Sequence, residues 1–292
     1  MIKIAVLGGT GYLATLIKNQ NNIRKNKYFF FSRKKSVKSH IINISFKNNL
    51  KILKNYDVIL HLSGPNQNQL KKNKSLLKKK NQITANICDL CLDYNIKLLY
   101  LSSMQVYKDY GKNNISINSK INKKNLYSMS HYMSEKIIIK KFLNHKKMFT
   151  ILRMGNVFGF KKFESIKKLN DNLIHSLCIL GIKKKKLFIK NPNIQRTLIP
   201  SQIFVKVINF IINKNLFKNS IVNISYINLS VKEISQIIKK RTKLLFNISI
   251  DIVLQKISHD KKFYIKSNQN FKFNPVYKKI YLEIDQIIKF IK

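Results

Sequence analysis

Three residue types in this chain could together move a proton at an alcohol. Tyr132-Met133-Ser134-Glu135-Lys136 sets a tyrosine and a lysine four residues apart, so on a helix both project from one face. A phenol titrates near ~10 and is a poor base at neutral pH. A neighbouring ammonium stabilises the phenolate and brings it into range. Ser103 closes the run Leu98-Leu99-Tyr100-Leu101-Ser102, where its hydroxyl can hydrogen-bond the same substrate oxygen. Serine, tyrosine and lysine so arranged form the proton relay that alcohol–ketone interconversion needs beside a hydride acceptor. Taken alone, Tyr-x-x-x-Lys is also an ordinary helical face, and a lysine-rich chain produces it by chance.

The acceptor has a candidate cradle. Gly8-Gly9-Thr10-Gly11-Tyr12-Leu13-Ala14 follows the apolar run Lys3–Leu7 and precedes a helical stretch. Its Gly8, Gly11, Ala14 spacing is a G-x-x-G-x-x-G/A turn, in which the backbone bends sharply and a pyrophosphate can rest on the helix N-terminus. Where a second strand should meet the adenosine ribose, a carboxylate would favour NAD. Ser32-Arg33-Lys34-Lys35 stands there instead, and a hydroxyl followed by cations suits a 2′-phosphate, hence NADP.

The elements that must position these residues alternate. Strands are expected at Lys3–Leu7, Tyr28–Phe31, Val58–Leu62, Leu98–Ser102 and Thr150–Met154, most of them separated by helical stretches. Such spacing needs crossovers, so the expected fold is α/β, a Rossmann-type doubly wound parallel sheet with a smaller C-terminal substrate-binding lobe. Residues 1–160 form the expected dinucleotide-binding domain. Residues 161–292 form mainly the lobe, with some segments returning to the core. Beyond Gly159 the pattern predicts a helix, a lysine run and a short strand within Lys161–Asn191, a helix over Pro200–Asn213 and a strand at Ile221–Ser225. Ser230-x-x-Glu233 is a capping box opening a helix over Val231–Lys239.

Composition narrows the class. At 292 residues and 45% hydrophobic, the chain can bury a sizeable core. Its 57 Lys+Arg against 12 Asp+Glu give a net charge of +45, which on its face suggests nucleic acid or an acidic membrane surface. The lysines are scattered, however, and accompany abundant Asn and Ile, residues that share AT-rich codons. A genome-composition effect explains them better than a dedicated nucleic-acid surface. Lys183–Lys186 reads as a solvated turn. Cys88, Cys91 and Cys178 are no disulfide framework, and Cys88-x-x-Cys91 reads as small buried thiols rather than a metal or redox pair. No metal site is expected. No apolar run reaches membrane-spanning length and no signal peptide is visible, so the expectation is no membrane partner and a cytoplasmic location.

The ordered motifs together resemble an extended short-chain dehydrogenase/reductase of the NAD-dependent epimerase/dehydratase family. The matching stretches are Gly8–Ala14, Asp57–Gly64, Leu98–Tyr107, Tyr132–Lys136, Leu152–Gly159 and Gln195–Ile199. The resemblance implies that Ser103 and Tyr132 are the serine and acid/base tyrosine, and that Lys136 holds the nicotinamide ribose and lowers the tyrosine's pKa. It implies a cofactor, NAD or NADP, lined by Gly8, Thr10, Gly11, Tyr12, Leu13, Ser32, Arg33, Leu62, Ser63, Gly64, Ser102, Tyr132 and Lys136. Asn156 and Arg196 would meet the diphosphate of a nucleotide-sugar substrate. Asn172, Leu173 and Phe188 (within Leu187–Ile189) would grip its base. A homodimer is also implied. The family's dehydratases carry an Asp-Glu pair after the serine or threonine; Met104-Gln105 stand here, which argues against a 4,6-dehydratase. Arg196-Thr197 replaces the usual Arg-Asp, and Gln202-Ile203 the acidic pair that often follows.

Three functional readings follow. The first is an NAD(P)-dependent nucleotide-sugar epimerase acting by transient oxidation of a sugar hydroxyl. Its alternative within the same chemistry is an NADPH-dependent NDP-4-keto-sugar reductase, favoured by Ser32-Arg33. From another class comes a non-catalytic Rossmann binding module, a redox sensor or RNA-associated protein, against which the Ser103, Tyr132 and Lys136 set speaks. A chain whose motifs are relics in a drifting sequence would also fold.

Overall fold

The computed structural model describes residues 1–20, 26–33, 40–108, 110, 114–146, 148–160, 172–255, 271 and 273–292. In chain order its elements begin β1 (Ile2–Leu7), α1 (Tyr12–Gln20), β2 (Asn26–Ser32), β3 (His40–Ile41), α2 (Lys47–Leu50), β4 (Val58–His61), α3 (Gln67–Lys72), α4 (Ser75–Asp93), β5 (Lys97–Ser103), α5 (Leu126–Lys141) and β6 (Phe149–Met154). There follow β7 (Asn156–Phe158), α6 (Leu173–Lys184), β8 (Lys186–Ile189), β9 (Gln195–Pro200), α7 (Ser201–Asn213), β10 (Ser220–Ile224), β11 (Ile227–Ser230), α8 (Val231–Phe246), β12 (Asp251–Leu254) and α9 (Tyr277–Ile291).

The central sheet has seven strands in the order β10-β6-β5-β4-β1-β2-β3. Strand β1 pairs in parallel with both β2 and β4, and β4–β5 and β5–β6 are parallel as well. The order reverses beside β1, which is the doubly wound arrangement, and ligands of such sheets bind beyond the carboxyl ends of the strands at that reversal. All four residues of β4 and all six of β6 are buried. Strands covered on both faces need apolar side chains on both, which is why these stretches read as unbroken hydrophobic runs rather than alternations.

The chain divides into two compact units. The first comprises residues 1–108, 117–154 and 205–223; the second comprises 109–116, 155–204 and 224–292. In the second, β9 pairs antiparallel with β11 and parallel with β7, and β8 pairs with β12. The Ser230 capping box forms in both directions and opens α8, which runs on to Phe246, past the expected end at Lys239. No glycine or proline interrupts residues 231–246, so nothing stops the helix earlier. The expected helix within 161–191 is α6, capped by Asn172, whereas residues 161–171 lie outside the described ones. Lys183–Lys186 are exposed.

Candidate active site

The glycine turn is built for close approach. Gly8 has φ +94, and a Cβ on it would lie 3.0 Å from the Ser63 backbone. A Cβ on Gly9 would lie 2.9 Å from Phe31 N. The Gly8 and Gly9 amides both donate to the Phe31 carbonyl, at 3.1 and 2.8 Å, and Gly11 N donates to Gly8 O at 2.8 Å. The turn therefore passes between the ends of β2 and β4 with no side chain in the way. Thr10 and Gly11 are exposed, Tyr12 and Leu13 half-buried, and the first amides of α1 have no acceptor within their own helix. A pyrophosphate fits this arrangement. At the end of β2, Ser32 is buried and Arg33 exposed; Lys34 and Lys35 lie outside the described residues. At the end of β4, Leu62 and Ser63 are half-buried and Gly64 is exposed. Ser63 Oγ is 3.0 Å from His61 Nδ1, which anchors that turn.

The carboxyl end of β5 brings Ser102 and Ser103 to the same edge. Ser103 Oγ accepts from Gln105 N at 3.2 Å, and Ser128 Oγ donates to the Gln105 carbonyl at 2.5 Å, tying α5 to this turn. Asn125 caps α5, its side chain accepting from Tyr127 N and Ser128 N. That cap fixes Tyr127 in the first turn of the helix.

Tyr127, rather than Tyr132, meets the serine. The Tyr127 hydroxyl approaches Ser103; burial raises its pKa above the ordinary tyrosine value, and the serine side chain opposes this. The two tyrosines are five residues apart, which on an α-helix is about 140° around the axis. With Tyr127 turned to β5, Tyr132 is turned away. Tyr132 is half-buried and Lys136 exposed, and the Lys136 ammonium lies 5.8 Å from the centre of the Tyr132 ring. The expected pair therefore forms, but on another face of α5 from the one that carries Ser103's partner.

The residue four positions after Tyr127 is His131. Their rings meet edge-on at 4.7 Å, and His131 Nδ1 is 3.1 Å from the Tyr100 hydroxyl. Burial, then the neighbouring Lys80 and His61, hold His131 well below the ordinary histidine pKa, so it is neutral at pH 7. Another turn on, Glu135 is buried and bound bidentately by Arg153, with Nε–Oε1 at 3.0 Å and Nη2–Oε2 at 2.6 Å. Ser102 Oγ donates to the same carboxylate at 2.5 Å, and Arg153 Nη1 donates to the Tyr107 hydroxyl at 2.9 Å. This network locks α5 against β5 and β6. Tyr127, His131 and Glu135 thus form one stripe at i, i+4 and i+8, the mark of the inward face. A lysine-centred motif search passes over it because Tyr127 has a histidine at the fourth position.

The substrate-side candidates lie in the second unit. Asn156 Nδ2 donates to the Tyr110 hydroxyl at 3.3 Å, and the Arg196 guanidinium sits 5.7 Å from the centre of the same ring. Arg196 has no carboxylate partner among the described residues, and burial pulls its pKa below the ordinary arginine value. Tyr110, which no sequence motif marked, joins Asn156 and Arg196 into one polar cluster. Asn172 caps α6 and donates to Val157 O at 2.9 Å, and Leu173 opens that helix. Phe188 is 71% exposed on β8 with Lys186 over its ring.

Cys88 and Cys91 are buried free thiols that burial holds protonated. Among the described residues no group of three His, Cys, Asp or Glu could hold a metal ion, and no helix is long and apolar enough to cross a membrane.

Comparison with known proteins bears on the family and the fold. ADP-L-glycero-D-manno-heptose-6-epimerase of Brachyspira hyodysenteriae is 27% identical over 175 residues, which are 53% of this chain and 55% of that protein. The match thus spans about half the length of that curated relative. The UDP-Glc/GlcNAc 4-epimerase of Campylobacter jejuni has the same fold, with a TM-score of 0.79 at 19% identity over 100% of this chain and 99% of that one. The UDP-glucose 4-epimerase of Bifidobacterium longum, solved in complex with NAD+ and UDP, gives 0.78 at 15% identity over 98% of both chains. The model of the NAD dependent epimerase/dehydratase family matches residues 4–224, well over half the chain, and the protein belongs to that family.

Proposed function

We propose that this protein is an NAD(P)-dependent nucleotide-sugar epimerase in which Tyr127 takes a proton from a sugar hydroxyl as its carbon is oxidised and returns one as the ketone is reduced. The observation that carries this reading is the approach of Tyr127 to Ser103 at the carboxyl end of β5, on the same sheet edge as the glycine turn. A nicotinamide dinucleotide along Gly8–Leu13 and Leu62–Gly64 would supply hydride transfer. Ser103, donating to the sugar oxygen, polarises it as charge develops. Ser102 acts differently: it is committed to Glu135 and holds β5 and α5 in register. Arg196 and Asn156 would receive the substrate's diphosphate, a role that suits a partly buried guanidinium with no carboxylate partner among the described residues. Asn172, Leu173 and Phe188 would face the base, and a homodimer is the expected assembly.

Exposed Arg33, directly after buried Ser32, favours a second reading: a reductase of NDP-4-keto sugars using exchangeable NADPH. Mass spectrometry of nucleotides released on denaturing the purified protein separates the two. Stoichiometric NAD(H) supports the epimerase, and an empty protein that binds NADPH supports the reductase. A panel of UDP-, dTDP- and ADP-sugars followed by proton NMR then identifies the epimer formed. Conversion of none of them, with no nicotinamide nucleotide bound, overturns both readings.

A further inference from the structure

The stripe on α5 lacks a cation. Tyr127 is half-buried and its pKa is raised, while His131, one turn on, is neutral. Arg153 is charged but committed to Glu135 and Tyr107. Another basic side chain reaches this region, from the neighbouring helix α4. Lys80 is 3% exposed. Its ammonium donates to Ser130 Oγ at 3.3 Å, and Ser130 in turn donates to the Tyr127 carbonyl at 2.8 Å. It lies 6.0 Å from the centre of the Tyr100 ring. Its stem runs under the turn after β4, where a Cβ on Gly64 would lie 3.2 Å from Lys80 Cε and 3.5 Å from Nζ. An ammonium has three donors, and Ser130 is the one acceptor it has among the described residues. A buried cation with donors to spare, under an exposed glycine, is poised for oxygen atoms of a ligand lying along that turn.

We propose that Lys80 supplies, from α4, the cation that the Tyr127-x-x-x-His131 arrangement lacks, donating to a ribose hydroxyl of the bound dinucleotide beside Gly64. The inference rests on the reading of Gly8–Leu13 and Leu62–Gly64 as the cofactor's track. Burial lowers the Lys80 pKa to about 7, with Glu135 opposing, so the side chain is part charged and part neutral near neutrality. The other groups facing it do not titrate in that range. His61 is lowered to about 3, His131 is well below its ordinary value, and Tyr100 is raised by burial.

The test is equilibrium binding of NADH and NADPH, followed by ligand fluorescence from pH 6 to 9, for the wild type, Lys80→Met, Lys80→Arg and Lys80→Met/His131→Lys. Loss of a hydrogen bond from a charged donor should weaken binding about tenfold or more at pH 6 in Lys80→Met. Wild-type affinity should fall as pH rises through the Lys80 titration, and Lys80→Arg should flatten that fall. The double variant, which returns a lysine to the fourth position after Tyr127, should recover part of the affinity. A merely structural lysine would move none of the pH dependence. If Lys80→Met does not fold, the wild-type and Lys80→Arg profiles decide alone. Identical affinity and pH dependence across the set overturns the role of Lys80 and leaves the cofactor reading standing. A wild type that binds neither nucleotide overturns both.

Discussion

Tyr127 reaches Ser103, whereas Tyr132, five residues further along the same helix, is carried about 140° around it. The consequence is a specific division of effects. Tyr127→Phe should lower turnover of the responsive sugar nucleotide by about 10²- to 10⁴-fold, the usual contribution of a positioned acid/base, with cofactor affinity retained. Tyr132→Phe, on the face turned away from Ser103, should leave turnover close to that of the wild type. Paired kcat measurements check this, and the reverse pattern would return the acid/base role to Tyr132 and Lys136.

That division shows where the sequence was readable and where it was not. The strand runs of β1, β4 and β5, the glycine turn after β1 and the Ser103 position are local: their apolar continuity and glycine spacing carry the information themselves. The register of α5 is not local. Two tyrosines compete, and the one followed four residues later by lysine matches the familiar spacing, although its lysine is solvent-exposed. The pattern that follows the inward face of α5 is Tyr127, His131 and Glu135 at i, i+4 and i+8, with Asn125 as cap. Lys80 was illegible for a different reason. It ends the run Lys78-Lys79-Lys80 in a chain with 57 basic residues, so only tertiary packing distinguishes it from its two exposed neighbours. Tyr110, likewise, joins Asn156 and Arg196 through folding alone.

The Glu135–Arg153 pair is almost fully desolvated, with side chains 1% and 4% exposed. Breaking such a pair leaves an uncompensated buried charge. Glu135→Ala should therefore cost about 3–5 kcal/mol, and Glu135→Gln, which keeps the hydrogen bond from Ser102, should cost less. Urea unfolding of both variants checks the order; equal midpoints with the wild type would show that the network is not what fixes α5.

Arg33 tests cofactor choice independently of catalysis. If its exposed guanidinium meets a 2′-phosphate, Arg33→Ala should weaken NADPH binding by about tenfold or more, the worth of a hydrogen bond to a charged group. NADH binding should stay the same. Titration of both nucleotides reads the difference, and an equal effect on each would remove the reason to favour NADPH.

Lys80 makes a prediction about stability whose sign is opposite to that for binding. Its pKa falls from an ordinary 10.5 in the unfolded chain to about 7 when folded. Between those values the unfolded chain holds a proton that the folded protein does not, so this lysine makes stability rise with pH across the window. Below about pH 7 both states are protonated and the penalty of burying the ammonium is felt in full. Lys80→Met removes the penalty. The variant without nucleotide should be more stable than the wild type at pH 6, by on the order of a few kcal/mol. That gap should close as pH approaches 10. Thermal or urea unfolding of the two proteins at several pH values isolates the effect, because every other lysine is common to both. A gap that does not change with pH would mean that Lys80 keeps its proton on folding. A wider stability margin combined with weaker nucleotide binding is what a residue buried for function, against the preference of the fold, should give.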